Sequence, residues 1–572
     1  MTGTVVERLA AAWPSDVDTD PTLGRALAHL HWNVEAGTVE RAARSVAVVV
    51  TVVSVGIGAG LAVLGVDRAG VAVAAAGTAV GVCVPMIVDR GVRFLSTLRR
   101  ARALGSAATL VGLAALRLRL DPATERAATF AAQAGSGTLA RSLERHVGRA
   151  RGTPRSGFDR FVDEWGDRFP ALERAIDRLD AAASAPATER DQHLDRAVAA
   201  ALDGAREELA TFAAEIRGPV TALYAFGVLL PLALVGVLPA ARAAGVRLSL
   251  PVIIALYNLA LPIVVAVAGA WLLARRPVAF PPPRIGRTHP EVPDNRLRAV
   301  VAGAVVAAVG VVATARAVGG WATPVVAAGL GPGVTLVVRV RGARRVRERV
   351  LAVESELHDA LYLVGRRVSA GEAVETAVEA AANRVSGATG ELLEDAMERR
   401  RRLGVTVAEA FRGDHGALAT LPSRRAHEMA ELFGLAATEG RPAGDALVAT
   451  AEHAEKLRRV ERDARRELTQ VTGTLSNTAA VFGPLVGGAT VALSARVGQT
   501  GTAGFGTGAL PSGELGIAVG VYVLWLAVAL TVLSTGLTRG LDRTLLGHRV
   551  GVALCLATCC YISAYVGAGL LL

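Results

Sequence analysis

The sequence predicts an all-α polytopic membrane protein with about nine transmembrane helices and two cytoplasmic helical-bundle domains in tandem duplication. Three observations carry this. Apolar runs long enough to cross a bilayer recur along the 572 residues, two polar stretches of about 130 residues interrupt them, and the whole order repeats after about 250 residues. A composition that is 52% hydrophobic, with mean hydropathy +0.41, is too apolar for a soluble chain of this size, while 20% charged residues are too many for one immersed in lipid.

Residues 1–45 hold Asp16, Asp18, Asp20 and several arginines before any apolar run, unlike the short basic start of a cleaved signal peptide, and are expected to be a cytoplasmic segment. The apolar runs follow at 46–66 and 70–88, 219–241 and 252–274, 299–315 and 321–338, 475–495 and 515–535, and finally 550–572. The polar stretches between them are 89–218, read as a first and divergent bundle, and 339–474, read as the second. Two shorter links remain: 275–298, whose prolines argue for an extended connector, and 536–549. Arg90, Arg93, Arg99, Arg100 and Arg102 follow the second run, and Arg339, Arg341, Arg344, Arg345, Arg347 and Arg349 follow the sixth. The positive-inside rule places these ends, and with them both bundles, in the cytoplasm. Arg68, Arg242, Arg247 and Arg316 fall on the opposite side, so the bias is strong but not complete.

Local echoes support the duplication: TLVG (109–112) answers YLVG (362–365), FPALERA (169–175) answers LPSRRAH (421–427), AREEL (205–209) answers ARREL (464–468), and Phe226-Gly227 answers Phe482-Gly483. The last run is then one extra helix. In the second bundle Leu357, Leu361, Val364 and Val368 share a helical face, as do Val374, Ala377, Val378 and Ala381, with Ser369-Ala370-Gly371 breaking the two helices apart. Another helix is expected to end at Glu439-Gly440 and to restart through Arg441-Pro442, with Ala446, Leu447, Thr450, Ala451 and Ala454 on its inner face.

The charge balance excludes several chemistries. Of 62 cationic side chains only Lys456 is a lysine, and its surroundings, AEKLRR, fit neither a Walker A loop, nor a kinase strand, nor a Schiff-base pocket. No Asp, Glu, Lys, Arg or His lies inside any apolar run, which counts against proton-coupled transport, charged-ion conduction and intramembrane aspartyl proteolysis. Asn258 and Asn477 are the strongest polar groups there. Pro262, Pro332 and Pro484 either kink helices for packing or break them around a neutral-solute cavity. The ten histidines, among them His358, His415, His427 and His453, show no metal-ligand spacing, and Cys83, Cys555, Cys559 and Cys560 read as small residues of lipid-facing helices. The expectation is no catalytic, cofactor or metal site, and not an enzyme. The arginine runs, Arg399, Arg400, Arg401 and Arg402, and Arg458, Arg459, Arg462, Arg465 and Arg466, lack the interleaved aromatics of nucleic-acid binders. They read as a face paired with nearby glutamates, as contacts to membrane lipid, or as a dock for an acidic protein.

The segment ELHDALYLVGRRVSAGEAVETAVEAAA (356–382), then ATEGRPAGDALVATAEHAEKLRR (437–459), then FGPLVGG (482–488), resembles the type II secretion F domain of the platform proteins of secretion and type IV pilus machines. The tandem layout is most similar to the archaeal platform proteins of the pilus and archaellum branch. Glu439-Gly440 before Ala446-Leu447 matches the family hallmark in the second copy, whereas the first copy has APATERDQHLDRAVAAALDGA (185–205) and lacks it. The resemblance implies a platform in the cytoplasmic membrane that couples a cytoplasmic secretion ATPase to pilin-like subunits. Glu439, Gly440, Arg441 and Arg399 to Arg402 are then the expected partner-binding residues, while Glu439 and Gly440 read equally well as shaping the turn between two helices. A duplicated chain either replaces a dimer or forms one, so a second copy stays open as a partner. The first alternative is a neutral-solute transporter with cytoplasmic regulatory domains, and a further one is a membrane-bound signalling or scaffold protein with no secretion role.

Overall fold

The computed structural model describes residues 35–63, 106–243 except 136, 151, 154, 167 and 168, 250–276, 289–499 except 294, and 512–571, with scattered positions between 10 and 92. All regular structure among these residues is helical. Two compact units emerge, Met1–Ala103 with Ala274–Pro277, and Leu104–Leu273 with Val278–Leu572. In the smaller unit, α1 (Ala36–Val63) buries Val39, Ala42 and Ala43 and turns Val48, Val49, Val52 and Val53 outward. That outer face suits lipid. The expected run 46–66 is helical as far as Val63, and most of 70–88 lies outside the described residues.

The larger unit begins with six helices: α2 (Ala107–Leu120), α3 (Thr124–Ala134), α4 (Thr138–Ala150), α5 (Gly157–Trp165), α6 (Pro170–Ser184) and α7 (Ala187–Tyr224). Their apolar stripes follow the helical period. Leu139, Leu143 and Val147 point inward from α4, Phe158, Phe161 and Trp165 from α5, and Leu172, Ala175, Ile176 and Leu179 from α6. After a π-helical turn come α8 (Leu230–Ala243), α9 (Leu250–Ile254) and, past another π turn, α10 (Leu261–Arg275). Then follow α11 (Arg296–Ala317) and α12 (Thr323–Ser355).

A second six-helix set starts at α13 (Leu357–Ser369), α14 (Val374–Ala382) and α15 (Gly387–Leu403). It continues with α16 (Val407–Arg412), α17 (Arg424–Glu439) and α18 (Arg441–Asn477). The two sets match closely in order and spacing. Ser156 and Thr406, 250 residues apart, each close a capping box, with Asp159 and Glu409 respectively, at the starts of α5 and α16. The long helices α7 and α18 hold 38 and 37 residues, and each runs into a π turn, Ala225–Leu229 or Thr478–Phe482. Every inward residue expected on α13 and α14 is buried. The chain ends with α19 (Gly483–Gln499), α20 (Ser512–Arg539) and α21 (Arg543–Leu571).

Seven helices among the described residues are long and apolar enough to span a membrane, and three of them, 187–237, 320–369 and 441–496, begin or end inside a bundle. The boundaries read from hydropathy at 218/219, 338/339 and 474/475 therefore fall within continuous rods. Hydropathy registers the change from charged to apolar side chains, but a helix needs no break there, because its backbone bonds are satisfied in water and lipid alike.

The three π turns share one cause. Ala225–Leu229, Ala255–Ala260 and Thr478–Phe482 each end two residues before a proline, at Pro231, Pro262 and Pro484. A proline has no N–H for the carbonyl four residues back and its ring crowds that carbonyl, so local widening relieves both problems. The helices thus stay continuous at these prolines, and Pro332 lies inside α12. The Gly227 carbonyl, left without the N–H of residue 231, accepts a 2.7 Å hydrogen bond from the Tyr522 hydroxyl of α20. Tyr522 meets Tyr257 edge-on, with ring centroids 5.4 Å apart, and Tyr257 in turn donates to the Pro231 carbonyl at 2.7 Å. Tyr522→Phe is expected to cost about 1–3 kcal/mol, by orphaning a buried carbonyl with no loss of ring packing. An apparent melting temperature in detergent equal to wild type would refute this.

α21, the last helix, packs against α12, α19 and α20. Glycines permit it. A Cβ at Gly333 would meet Cys555 Sγ at 2.7 Å, one at Gly551 would meet the Gly333 carbonyl at 2.6 Å, and one at Gly488 the Tyr561 carbonyl at 2.2 Å. Cys555 therefore sits in a helix contact, Cys559 is exposed, and Cys83 is outside the described residues.

Candidate functional site

Two glycine turns meet at one end of the second bundle. Gly371, with φ 95, follows α13, and Gly440, with φ 69 and ψ −137, separates α17 from α18, a backbone conformation that only glycine adopts without strain. Ser369 Oγ donates to Asp445 at 2.7 Å, and Arg441 donates to the Ala370 carbonyl at 3.4 Å. The Arg441 guanidinium lies over Gly371, where a Cβ would meet it at 2.7 Å. Because α18 has 37 residues, a rise of 1.5 Å per residue puts this tip about 55 Å from Asn477, where the apolar segment starts. Glu439 is exposed there and makes no ion pair among the described residues.

The corresponding turn of the first bundle is built differently. Pro186, φ −55, occupies the position before α7, and the Arg119–Asp191 ion pair of 3.5 Å joins α2 to α7 where Ser369 and Asp445 join α13 to α18. The first bundle has no glycine at this turn, which uses the extended backbone that proline favours.

Arg399 to Arg402 lie elsewhere, on α15, and no bond among the described residues joins them to the Glu439 tip. Each has a partner within its own bundle. Arg399 binds Asp395 at 2.8 Å and the Gly416 carbonyl at 3.3 Å, Arg400 and Arg401 approach Glu379 at 4.0 and 3.2 Å, and Arg402 pairs with Glu398. They form a compensated face, one of the readings the sequence left open. Such exposed pairs contribute little to stability.

The sequence reading missed a more buried ionic network at the base of the bundle. Glu354 of α12 accepts from Ser423 at 2.8 Å, and Arg425 of α17 lies 3.7 Å from Glu354 and 3.2 Å from Glu461 of α18, which also pairs with Arg465. One set of charges thus ties a rod entering the membrane to a rod leaving it. No sequence signal could have found it, since Arg and Glu are common along both helices. Burial pushes the Glu428 carboxyl beside this network up to about 7, despite Arg424 at 3.0 Å.

Glu428 gives a pH prediction. Its folded-state value lies above the ordinary carboxylate value, so between about pH 4.5 and 7 the folded protein keeps a proton that the unfolded chain releases, and stability falls as pH rises through that window. Glu428→Gln is expected to be more stable than wild type at about pH 8, by on the order of 2 kcal/mol, and to lose that advantage near pH 5. Melting curves with equal offsets at both pH values would contradict it.

The first bundle holds a serine, histidine and carboxylate together without nucleophilic geometry. Ser142 donates to Glu164 at 2.8 Å and accepts from Trp165 at 3.1 Å, while His146 meets the same Glu164 oxygen at 2.6 Å. No serine–imidazole bond exists, and Ser142 is fully buried. The His146 hydrogen bond holds Glu164 down to about 2, so the cluster serves to fasten α4 to α5.

Between the bundles, α7 and α2 pack on α18, and Leu116 of α2 joins the core of the second bundle. His453 of α18 lies 3.8 Å from Asp195 of α7, but burial and the nearby Arg119 charge hold its imidazole down to about 4. It is neutral at pH 7, so this approach is not an ion pair. Among the described residues no three His, Cys, Asp or Glu side chains gather as metal ligands. No protein-family model, curated protein or solved structure matches the chain.

Proposed function

We propose that the protein is a platform of a type IV pilus-like or type II secretion-like machine in the cytoplasmic membrane, coupling a cytoplasmic secretion ATPase to the movement of pilin-like subunits. The supporting observation is mechanical. Two bundles with the same helix order pack on each other, and the long helix of each passes without interruption into a membrane-spanning segment, α7 through α8 and α18 through α19. A displacement applied at the Glu439–Arg441 tip would be carried along a rod of about 55 Å into the membrane helices. The matched spacing and paired capping boxes favour a tandem duplication as the origin of the two bundles.

In this reading the tip meets the ATPase, and no side chain of this chain needs to react. The test is co-purification of the full-length chain with a secretion ATPase. A Glu439→Arg, Arg441→Glu double variant that keeps its elution profile is expected to lose capture by about tenfold, the loss of one good interface contact. Capture unaffected by that variant and by removal of 357–439 would overturn the proposal, as would labelling that finds either bundle outside the cell. Uptake of a neutral solute by liposomes holding this chain alone would favour the transporter instead.

A further inference from the structure

We propose that Arg539 and Arg549, at the facing ends of α20 and α21, form a binding site for the phosphate of an anionic phospholipid headgroup. The turn joining these two apolar helices is short, Gly540-Leu541-Asp542, and both arginines flank the apolar runs, Arg539 shortly after Thr535 and Arg549 directly before Val550. Arg539 carries the repulsion of Arg549, and of Arg347 and Arg465 arriving on α12 and α18. Arg549 is half-buried, with Nη1 placed 3.4 Å from the hydroxyl of the buried Thr535. Four like charges are therefore gathered from four helices.

The nearby carboxylates are already committed. Asp542 accepts from Arg347 at 2.6 Å and caps α21 by accepting the Thr544 N–H at 2.9 Å. Glu348 is bound to Arg344 at 2.7 Å, and Glu461 is shared between Arg425 and Arg465. Arg539 and Arg549 have no acidic partner among the described residues. Guanidiniums bind phosphate oxygens in a matched fork, and a basic pocket between membrane helices at headgroup depth meets lipid phosphate at high local concentration. An anion held between the two side chains removes the repulsion that the fold otherwise sustains.

The experiment uses the full-length protein in detergent, supplied with equal phosphatidylglycerol and phosphatidylcholine, with retained lipid read by native mass spectrometry. The expected result is roughly tenfold preference for phosphatidylglycerol. It should fall below about twofold in Arg539→Gln/Arg549→Gln, whereas Arg345→Gln, an exposed arginine of α12, leaves it unchanged. Equal retention of both lipids by wild type overturns the proposal and needs no variant, so misfolding of the double variant cannot shield it. Millimolar inorganic phosphate is the second arm: full displacement of phosphatidylglycerol, with equal thermal protection by phosphate alone, would reassign the site to a free anion and overturn the lipid.

Discussion

Asp542→Ala is expected to destabilise the membrane stem by about 3–5 kcal/mol, more than any exposed charge substitution in the bundles. Arg347 and Asp542 are only 11% and 7% exposed and bind at 2.6 Å, so removing the carboxylate strands a buried guanidinium. The same substitution deprives Thr544 of its cap at the start of α21, a loss of about 1 kcal/mol by itself. Adding Arg347→Met to Asp542→Ala should recover much of the first loss and none of the second, because a charge without a partner costs more than no charge at all. Apparent melting temperatures of the wild type, both single variants and the double variant provide the cycle. A double variant no more stable than Asp542→Ala alone would show that the buried charge is not the source of the effect.

Two glycine-to-alanine substitutions on α18 should have opposite signs. At Gly444 a Cβ would lie 2.3 Å from the Ser369 backbone nitrogen and 2.9 Å from the Gly365 carbonyl, so α13 and α18 must separate. The cost is about 1–3 kcal/mol, and hydrogen exchange should quicken along both helices. At Gly473 nothing lies within 4 Å of the added methyl, and alanine should stabilise the helix by about 0.5–1 kcal/mol. Because both sites lie within one helix, propensity alone predicts a gain at each. Finding that result would mean that the close approach at Gly444 does not carry weight.

Much of the second bundle was legible in the sequence because its periodic residues face a single core. Leu357, Leu361, Val364 and Val368 could be placed by spacing alone, and so could the break at Glu439-Gly440, since a glycine followed by Arg-Pro marks one helix end and the next start. The candidate site was less legible. Glu439 and Arg441 stand together at an exposed tip, but Arg399 to Arg402 proved to be paired within α15 and its neighbours, and nothing in RRRR distinguishes a paired face from a free one.

The sequence by itself determined the helical class, the membrane-spanning character of the apolar runs and the turns at glycine and proline, because each depends on the chemistry of near neighbours in the chain. Only the tertiary structure decided that the bundle helices continue into the membrane spans and that Tyr522 satisfies the carbonyl orphaned by Pro231. The same holds for Glu354, Arg425 and Glu461, and for Arg347 and Asp542, which join helices far apart in sequence. Local propensity reports what a segment can form, whereas the pairing of buried charges and carbonyls depends on which distant segment arrives beside them.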